Sequence, residues 1–404
     1  MGLVASMKRT LLKYPSYLIT RELKWHSHQY RGARTAVVSL APPQDPVGTV
    51  LFSYINDPFL LPAGAPIPLS HTRYWESYQM VQTFLDLGYA VDVISFKNDL
   101  FVPTKPYAVF VDIYNNMERL GPLLGERCVK IAHMTTAHWL FHTTAQHRRL
   151  QALQRRRGVA LQPRIVIRPH WTVERADYAT GKLNDYTAST YGFTGKRIWS
   201  IPTSGHPISW IEEKVFNEAR KHFVWLGGVG AVHKGLDLVL EAFSAMPELT
   251  LTVCGPFEDE PDFVQAYHRE LYQCPNIRAQ GWIDIQGSEF LDLARRCGAV
   301  IFPSCSEGHC GGIIACMHAG LVPIVSHETG VNVDDETGYL LGECSIDEIK
   351  KIVTHVSTLP PHEFEMRARQ AWDVTRKNHT RDTFSREYRR IIMTILESAR
   401  AIGA

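Results

Sequence analysis

Two blocks of the chain alternate short apolar runs with longer amphipathic stretches. In the first block "TVLFSYI" from Thr49, "YAVDVISF" from Tyr89, "YAVFVDI" from Tyr107 and "CVKIAHM" from Cys128 read as buried strands, and "KRIWSIP" from Lys196 closes the block. Runs that stay apolar at successive positions belong to strands covered on both faces. Between them, "TRYWESYQMVQTFLDLG" places its apolar residues at helical spacing and stops at Gly88. Further helices are predicted from Leu140 to Arg157, stopped by Gly158, and over "VERADYATGKL". Residues 57–71 form a Pro/Gly-rich loop.

The pattern restarts after "TSGHPIS", residues 203–209, which has the turn composition of a linker. Strands are predicted at "HFVWLG", "LTLTVCG", "IRAQGWI", "AVIFPS" and "LVPIVS", with helices over 235–245, 261–273, 288–296 and 311–319. The last sixty residues are helical apart from a break at Pro360 and Pro361. Strands interleaved with helices predict parallel sheets, hence an α/β chain of two doubly wound, Rossmann-like domains. Ligands in such sheets sit outside the carboxyl ends of the strands, so the two domains are expected to face each other across a cleft. The expected divisions are 1–208, with 1–34 as a basic arm, 209–378, and a final helix over 379–404.

Composition narrows the class. The chain has 404 residues, too many for one ordinary core, with 45% hydrophobic and 21% charged residues. A formal net charge of +2 gives no global reason to expect nucleic acid as a partner. No apolar run reaches the ~18–20 residues of a membrane span, and Lys8, Arg9, Lys13 and Arg21 interrupt any signal-peptide core. Eight scattered cysteines without a CxxC pair fit reduced thiols in a cytoplasmic protein. The arm over 1–34 is either an aromatic-packed surface segment or an amphipathic stretch lying peripherally on anionic lipid. "MGLVAS" formally fits a myristoylation pattern. The arginines of "QHRRLQALQRRRG" (Arg148, Arg149, Arg155, Arg156 and Arg157) are a solvated helix face or a patch for membrane or anionic acceptor.

The chemistry concentrates in two stretches. "FVWLGGVGAVHKGLDLVLEAF", from Phe223, runs from strand through glycines into a helix. It departs from a dinucleotide fingerprint, because His233 stands where a third glycine belongs. It departs from a phosphate loop too, because Gly235 follows Lys234. What remains is a glycine turn around Gly228 and Gly230, free N–H groups, a helix amino terminus and one cation, all suited to an anion. The bland alternative is a tight turn with a surface lysine. The second stretch, "FPSCSEGHCGGIIACMHAGLVPIVSHETG", residues 302–330, places Glu307 beyond a strand end, where a carboxylate can accept from sugar hydroxyls. Gly308, Cys310, Gly311 and Gly312 lead into the next helix. In the first block, "HMTTAHWLFH" puts Thr135, Thr136, His138 and His142 after the fourth strand, and Asp57 and His71 bound the 57–71 loop.

Read together, KG before a helix, "CGP", "GWID", "PSCSEG" and "AGLVPIVSHETG" occur in one order from about Phe223 to Leu341. In this the chain resembles the carboxyl-terminal domain of GT-B glycosyltransferases of family 4 (glycosyl transferases group 1). The resemblance implies a second domain that binds a nucleotide-diphosphate sugar and a first domain that binds the acceptor, a glycan, lipid or small molecule. It implies that Lys234 neutralises the pyrophosphate and that Glu307, the first glutamate of an E-x7-E motif, contacts the donor sugar. Trp282 would lie near the nucleobase. His138 would stand near the reacting centre, with Asp57, His71 and Thr136 on the acceptor side, and the helix from about Arg381 to Ala399 would return to the first domain. The implied activity is that of a retaining hexosyltransferase-type enzyme (EC 2.4) with the nucleotide sugar as co-substrate and no further cofactor. No apolar-flanked Asp-x-Asp stands at a strand end, so Lys234 and helix dipoles are expected to take the place of a metal.

The sequence departs from the family pattern twice. The second glutamate of the motif falls on Ala315, and the arginine after the first glycine falls on Gly228 or Val229. Arg278, Arg295 and His309 are the candidates to supply the missing contacts. Two alternatives to a transferase follow: an inactive glycan- or nucleotide-binding protein on the same scaffold, and a nucleotide-sugar epimerase.

Overall fold

The computed structural model describes residues 32–62, 64–68 and 71–403. Nearly all of the basic arm, and the whole myristoylation pattern, lie outside the described residues. Seven strands, β1 Val37–Leu40, β2 Thr49–Tyr54, β3 Ala90–Ser95, β4 Val109–Asp112, β5 Val129–Met134, β6 Tyr178–Gly181 and β7 Ile198–Ser200, form one sheet in the order β1-β3-β2-β4-β5-β6-β7. β3, β2 and β4 run parallel, and β1 is an antiparallel edge on β3. Six strands, β8 His222–Leu226, β9 Thr250–Cys254, β10 Ile277–Gly281, β11 Ala299–Phe302, β12 Val322–Ser326 and β13 Tyr339–Leu341, form a second sheet in the order β10-β9-β8-β11-β12-β13. All its pairings are parallel. Counted from β8, this is the doubly wound order 3-2-1-4-5-6, which reverses direction between β8 and β11.

The chain forms two compact units, one up to Ile131 and one from Ala132, with the division inside β5. In the first unit the helix Thr72–Asp86 lies along β2 and β3 and buries Met80, Val81 and Phe84. Asp112, wholly buried at the end of β4, pairs in register with Ser53 of β2. Its carboxylate accepts from Ser53 Oγ at 2.7 Å and from the Met117 backbone N–H at 2.8 Å. Burial outweighs these donors and pushes the carboxyl up to about 7. A raised acid favours the protonated folded state, so the stability it contributes is complete below the unfolded value of about 3.9 and is lost as pH rises through about 7. Asp112→Asn is therefore expected to flatten the rise in unfolding midpoint that wild type shows on acidification from pH 7 to pH 5. An equally steep profile in the variant would contradict this.

The second unit contains β6, β7 and the whole second sheet. Phe223, Val224, Trp225, Leu251, Val253, Val300 and Ile301 are fully enclosed in that sheet, as expected for strands with helices on both faces. The helix Trp139–Arg157 ends at Gly158, and the helices Ile346–Thr358, Pro361–Asn378 and Arg381–Gly403 fill the last part of the chain. Two expectations are corrected. The segment read as one helix over "VERADYATGKL" is a short helix, Thr172–Arg175, followed by strand β6. Sheet pairing overrides local preference here: β6 lies beside β7, and Thr180 Oγ1 meets the buried His133 Nδ1 at 3.0 Å. The helix expected over 261–273 is two short ones, Pro261–Ala266 and His268–Tyr272. All eight cysteines are free thiols. Among the described residues no helix is long and apolar enough to cross a membrane.

Candidate functional site

The site is built where the second sheet changes direction. β8 runs into the glycine turn, and the helix Leu236–Phe243 starts from Gly235. Gly235 has φ +73°, and a Cβ there would strike the Pro303 carbonyl at the end of β11. The turn and the loop after β11 are thus held against each other by backbone. Trp225 Nε1 donates to the Lys234 carbonyl at 3.1 Å, and the Cys305 N–H donates to the His233 carbonyl at 2.9 Å. His233, enclosed and kept neutral by burial, links its Nε2 to the Ser306 carbonyl at 2.5 Å. His233 therefore serves as a brace between turn and loop.

Lys234 and Glu307, both singled out in the sequence, form an ion pair. Burial disfavours charge on Lys234, but the adjacent Glu307 carboxylate more than offsets it and leaves the ammonium's pKa raised. Ser304 Oγ donates to the same Glu307 oxygen at 3.2 Å, and the ammonium lies 5.6 Å from the centre of the Phe302 ring. Gly228 borders the Lys234 side chain. Glu307 is positioned from behind, its N–H donating to the Glu328 carbonyl at 2.8 Å. Cys310 donates its N–H to the Thr329 carbonyl at 3.2 Å and heads the helix Gly311–His318, with Gly312 set against Leu226. Burial pushes the Cys310 thiol up to about 11, so it is protonated at neutral pH.

The glycine turn already holds an anion from the protein itself. The buried Glu260, between β9 and the next helix, accepts from the N–H of Gly230 at 2.6 Å and of Ala231 at 3.1 Å. Burial raises its pKa against the pull of these donors. Arg164 stands 3.8 Å away and is also paired with Asp262. Nothing in "FEDEPDF" marks which of four acidic residues turns inward, so Glu260 is not legible in this place from sequence.

The arginines of the helix Trp139–Arg157 are mostly engaged. Arg149 donates to the Pro303 carbonyl at 3.0 Å, and Arg156 donates to the enclosed Asp237 at 2.6 Å. Arg157 pairs with Glu270 at 2.9 Å and lies over the Tyr267 ring. Arg148 and Arg155 keep exposed positions. His142 is buried, with its ring nitrogens at Ser306 Oγ (3.1 Å) and the Ile165 carbonyl (3.2 Å). His309 is enclosed against Thr203 (3.0 Å), Arg278 is exposed, and Arg295 pairs with Asp292 on its own helix. The sequence thus singled out Arg149 only as part of a surface patch, while the structure brings it to the loop that carries Glu307.

His138 caps the helix Trp139–Arg157, its Nδ1 accepting the Leu140 N–H at 3.4 Å. It is 6% exposed, and burial lowers its pKa, so the ring is neutral. It borders a cavity of about 1070 Å³ that Leu238, Cys305, Glu328 and Glu343 also line. Lys234 and Glu307 lie outside this lining. The Thr136 carbonyl accepts from Tyr191 Oη at 2.9 Å. Trp282 is half-buried beyond β10. Asp57 and His71 belong to the first unit, where Asp57 is exposed in a short 3-10 turn and His71 caps the helix Thr72–Asp86.

Residues 220–358, about a third of the chain, match the family model described as Glycosyl transferases group 1. No curated protein matches the sequence. Among solved structures, sucrose-phosphate synthase of Thermosynechococcus elongatus is 12% identical with a TM-score of 0.61, over 88% of this chain and 100% of that one. HepE of Anabaena, solved in complex with UDP-glucose, is 12% identical with a TM-score of 0.54, over 86% and 100%. TarM is 9% identical with a TM-score of 0.51, over 69% of this chain and 53% of that one, so the chain spans about half of TarM's length. The fold is therefore GT-B, with two Rossmann-like parallel-sheet domains. Within it, the segment from Arg220 to Thr358 carries the match to glycosyl transferases group 1.

Proposed function

We propose that this chain is a glycosyltransferase that moves a sugar from a nucleotide-diphosphate donor to a glycan acceptor. The observation that carries the reading is the Lys234–Glu307 ion pair at the switch point of the second sheet, inside the segment matching glycosyl transferases group 1. In this reading the second domain takes the donor and the first contributes to the acceptor side. Donor binding transfers the Lys234 ammonium from Glu307 to the diphosphate and frees the carboxylate to accept from sugar hydroxyls. The ammonium then stabilises the charge that grows on the leaving diphosphate, which is the kind of interaction that speeds bond cleavage. Arg149, at the Pro303 carbonyl, supplies the second cation that the glycine turn lacks. Attack from the face of departure, with the leaving phosphate taking the acceptor's proton, gives retention without a metal. The free thiols fit a cytoplasmic setting.

A screen of UDP-, GDP- and ADP-sugars by thermal shift tests the reading. One donor is expected to raise the unfolding midpoint saturably, since a ligand bound only by the folded state stabilises it. A protein indifferent to every nucleotide sugar and nucleotide would overturn it.

A second reading, donor binding without transfer, is favoured by Ala315 in place of the motif's second glutamate and by Glu260 in the turn. A diphosphate using the Gly230 and Ala231 N–H groups must displace a carboxylate. Glu260→Gln removes that competing charge, so UDP affinity is expected to rise about tenfold, equivalent to ~1.4 kcal/mol. Calorimetric titration measures it. Unchanged or weaker UDP binding would mean that the diphosphate does not use this turn.

A further inference from the structure

Exposed apolar side chains gather on one loop of the first unit. β1 runs antiparallel to β3 with Val37 opposite Ile94, so the start of β1 lies beside the end of β3. The loop "FKNDLFVP", residues 96–103, leaves β3 at that point. Polar anchors hold it from within. Asn98 Oδ1 accepts from the N–H of Leu100 at 3.2 Å and of Phe101 at 3.0 Å. Arg119, on the short helix Asn116–Leu120, donates to the carbonyls of Asn98, at 2.9 Å, and of Phe101. The loop so fixed leaves Leu100 73% and Val102 61% exposed. Exposed apolar residues scattered singly need no explanation, but two on one anchored loop form a surface that the core does not account for.

The basic arm joins the molecule at the same place. Arg34 Nε donates to the Lys97 carbonyl at 2.6 Å, and the guanidinium pairs with Asp99 at 2.8 Å. Asn98 Nδ2 donates to the Thr35 carbonyl at 3.3 Å, and Asn56 Nδ2 to the Ala33 carbonyl at 2.7 Å. The chain is thus pinned to the loop at residues 33–35. In the sequence before it, Lys8, Arg9, Lys13, Arg21, Lys24 and Arg31 stand against Glu22 alone. Lys97, Lys105 and Arg127 are exposed on the first unit, with Lys105 also pairing with the buried Asp92. The exposed acids among them are Asp99, which Arg34 offsets, and Glu126, next to Arg127. The balance around the loop is therefore positive.

We infer that this face docks on an anionic lipid bilayer, with Leu100 and Val102 entering the interfacial layer while Lys97 and the basic arm are drawn to the headgroups. Interfacial binding grows with the apolar area buried and with attraction to anionic lipid, and basic segments close to the surface add to it. An acidic protein could answer the cations, but it would need a pocket shaped for both apolar tips, whereas a bilayer accepts them without one. Of the two readings open for the arm, the anchored loop beside it favours lipid. The proposal does not rest on the sugar-transfer reading.

The test uses the full chain with vesicles of phosphatidylcholine alone and of phosphatidylcholine mixed with phosphatidylglycerol, followed by cosedimentation. The chain is expected to bind the mixed vesicles about tenfold more tightly than the neutral ones, and to lose that preference as salt rises. Leu100→Ser/Val102→Ser should weaken binding to the mixed vesicles about tenfold. Its unfolding midpoint should stay in place, because both side chains are exposed. Leu100→Trp reports insertion: brominated phosphatidylcholine in the mixed vesicles should quench the added emission. Equal binding to both vesicles, or to neither, would overturn the proposal. So would a double serine variant that binds as tightly as wild type, or an added tryptophan that stays unquenched. Self-association that the serine pair abolishes, without vesicle binding, would overturn it too and assign the face to a protein contact.

Discussion

Lys234→Ala is expected to reduce sugar transfer by about two to three orders of magnitude, the usual effect of removing one group that stabilises charge in a transition state. The ammonium is nearly enclosed, and among the described residues its acidic partner is Glu307. Part of any loss could reflect stability, because the variant leaves Glu307 without its counter-charge. Lys234→Ala/Glu307→Ala separates the two effects. The double variant should recover most of the unfolding midpoint and none of the activity. Steady-state kinetics and a denaturant titration on the same preparations provide the comparison. Transfer by Lys234→Ala within a few-fold of wild type would remove the lysine from the mechanism.

Gly330→Ala should be the most damaging single methyl group in the site. Gly330 follows β12 with φ +73°, and a Cβ there would overlap the carbonyl oxygen of Gly308. A left-handed conformation alone costs an L-residue roughly 1–2 kcal/mol. The overlap is between backbone groups and cannot be relieved by a rotamer change, so the total is expected to exceed about 3 kcal/mol, in the diagnostic tail of point substitutions. The Glu307 and Cys310 N–H groups hang on the carbonyls of Glu328 and Thr329, so moving this turn also displaces Glu307. Activity should therefore fall even below the unfolding transition. Urea titration measures the stability change through the midpoint at constant slope. A loss under about 1 kcal/mol would show that the turn yields more easily than its packing indicates.

The parts legible in the sequence were those whose local pattern and tertiary role agree. β2, β8, β9, β11 and β12 are mostly apolar at successive positions because both faces are covered, and that pattern needs no knowledge of neighbours. Lys234 and Glu307 could be singled out because each stands at a strand-to-helix crossing, where doubly wound sheets place ligands. β6 was hidden because "YATG" owes its extended form to its sheet neighbours and not to its own side chains. Glu260 was hidden because three acidic residues stand together and only the fold selects one. Arg149 looked like one member of a basic run, yet it reaches a carbonyl distant in sequence, at Pro303. His138 caps a helix through a local hydrogen bond that no spacing rule reports.

The central claim is that the Lys234–Glu307 site cleaves a nucleotide-diphosphate sugar and passes the sugar on. The most direct measurement incubates the wild-type chain with the donor that stabilises it and a mixture of glycans, following nucleoside diphosphate release and the anomeric configuration of the product by NMR. The account predicts nucleoside diphosphate in equal amount to a new glycosidic bond that keeps the donor's configuration. Bound donor with no release, or a changed sugar still attached to its nucleotide, would contradict it.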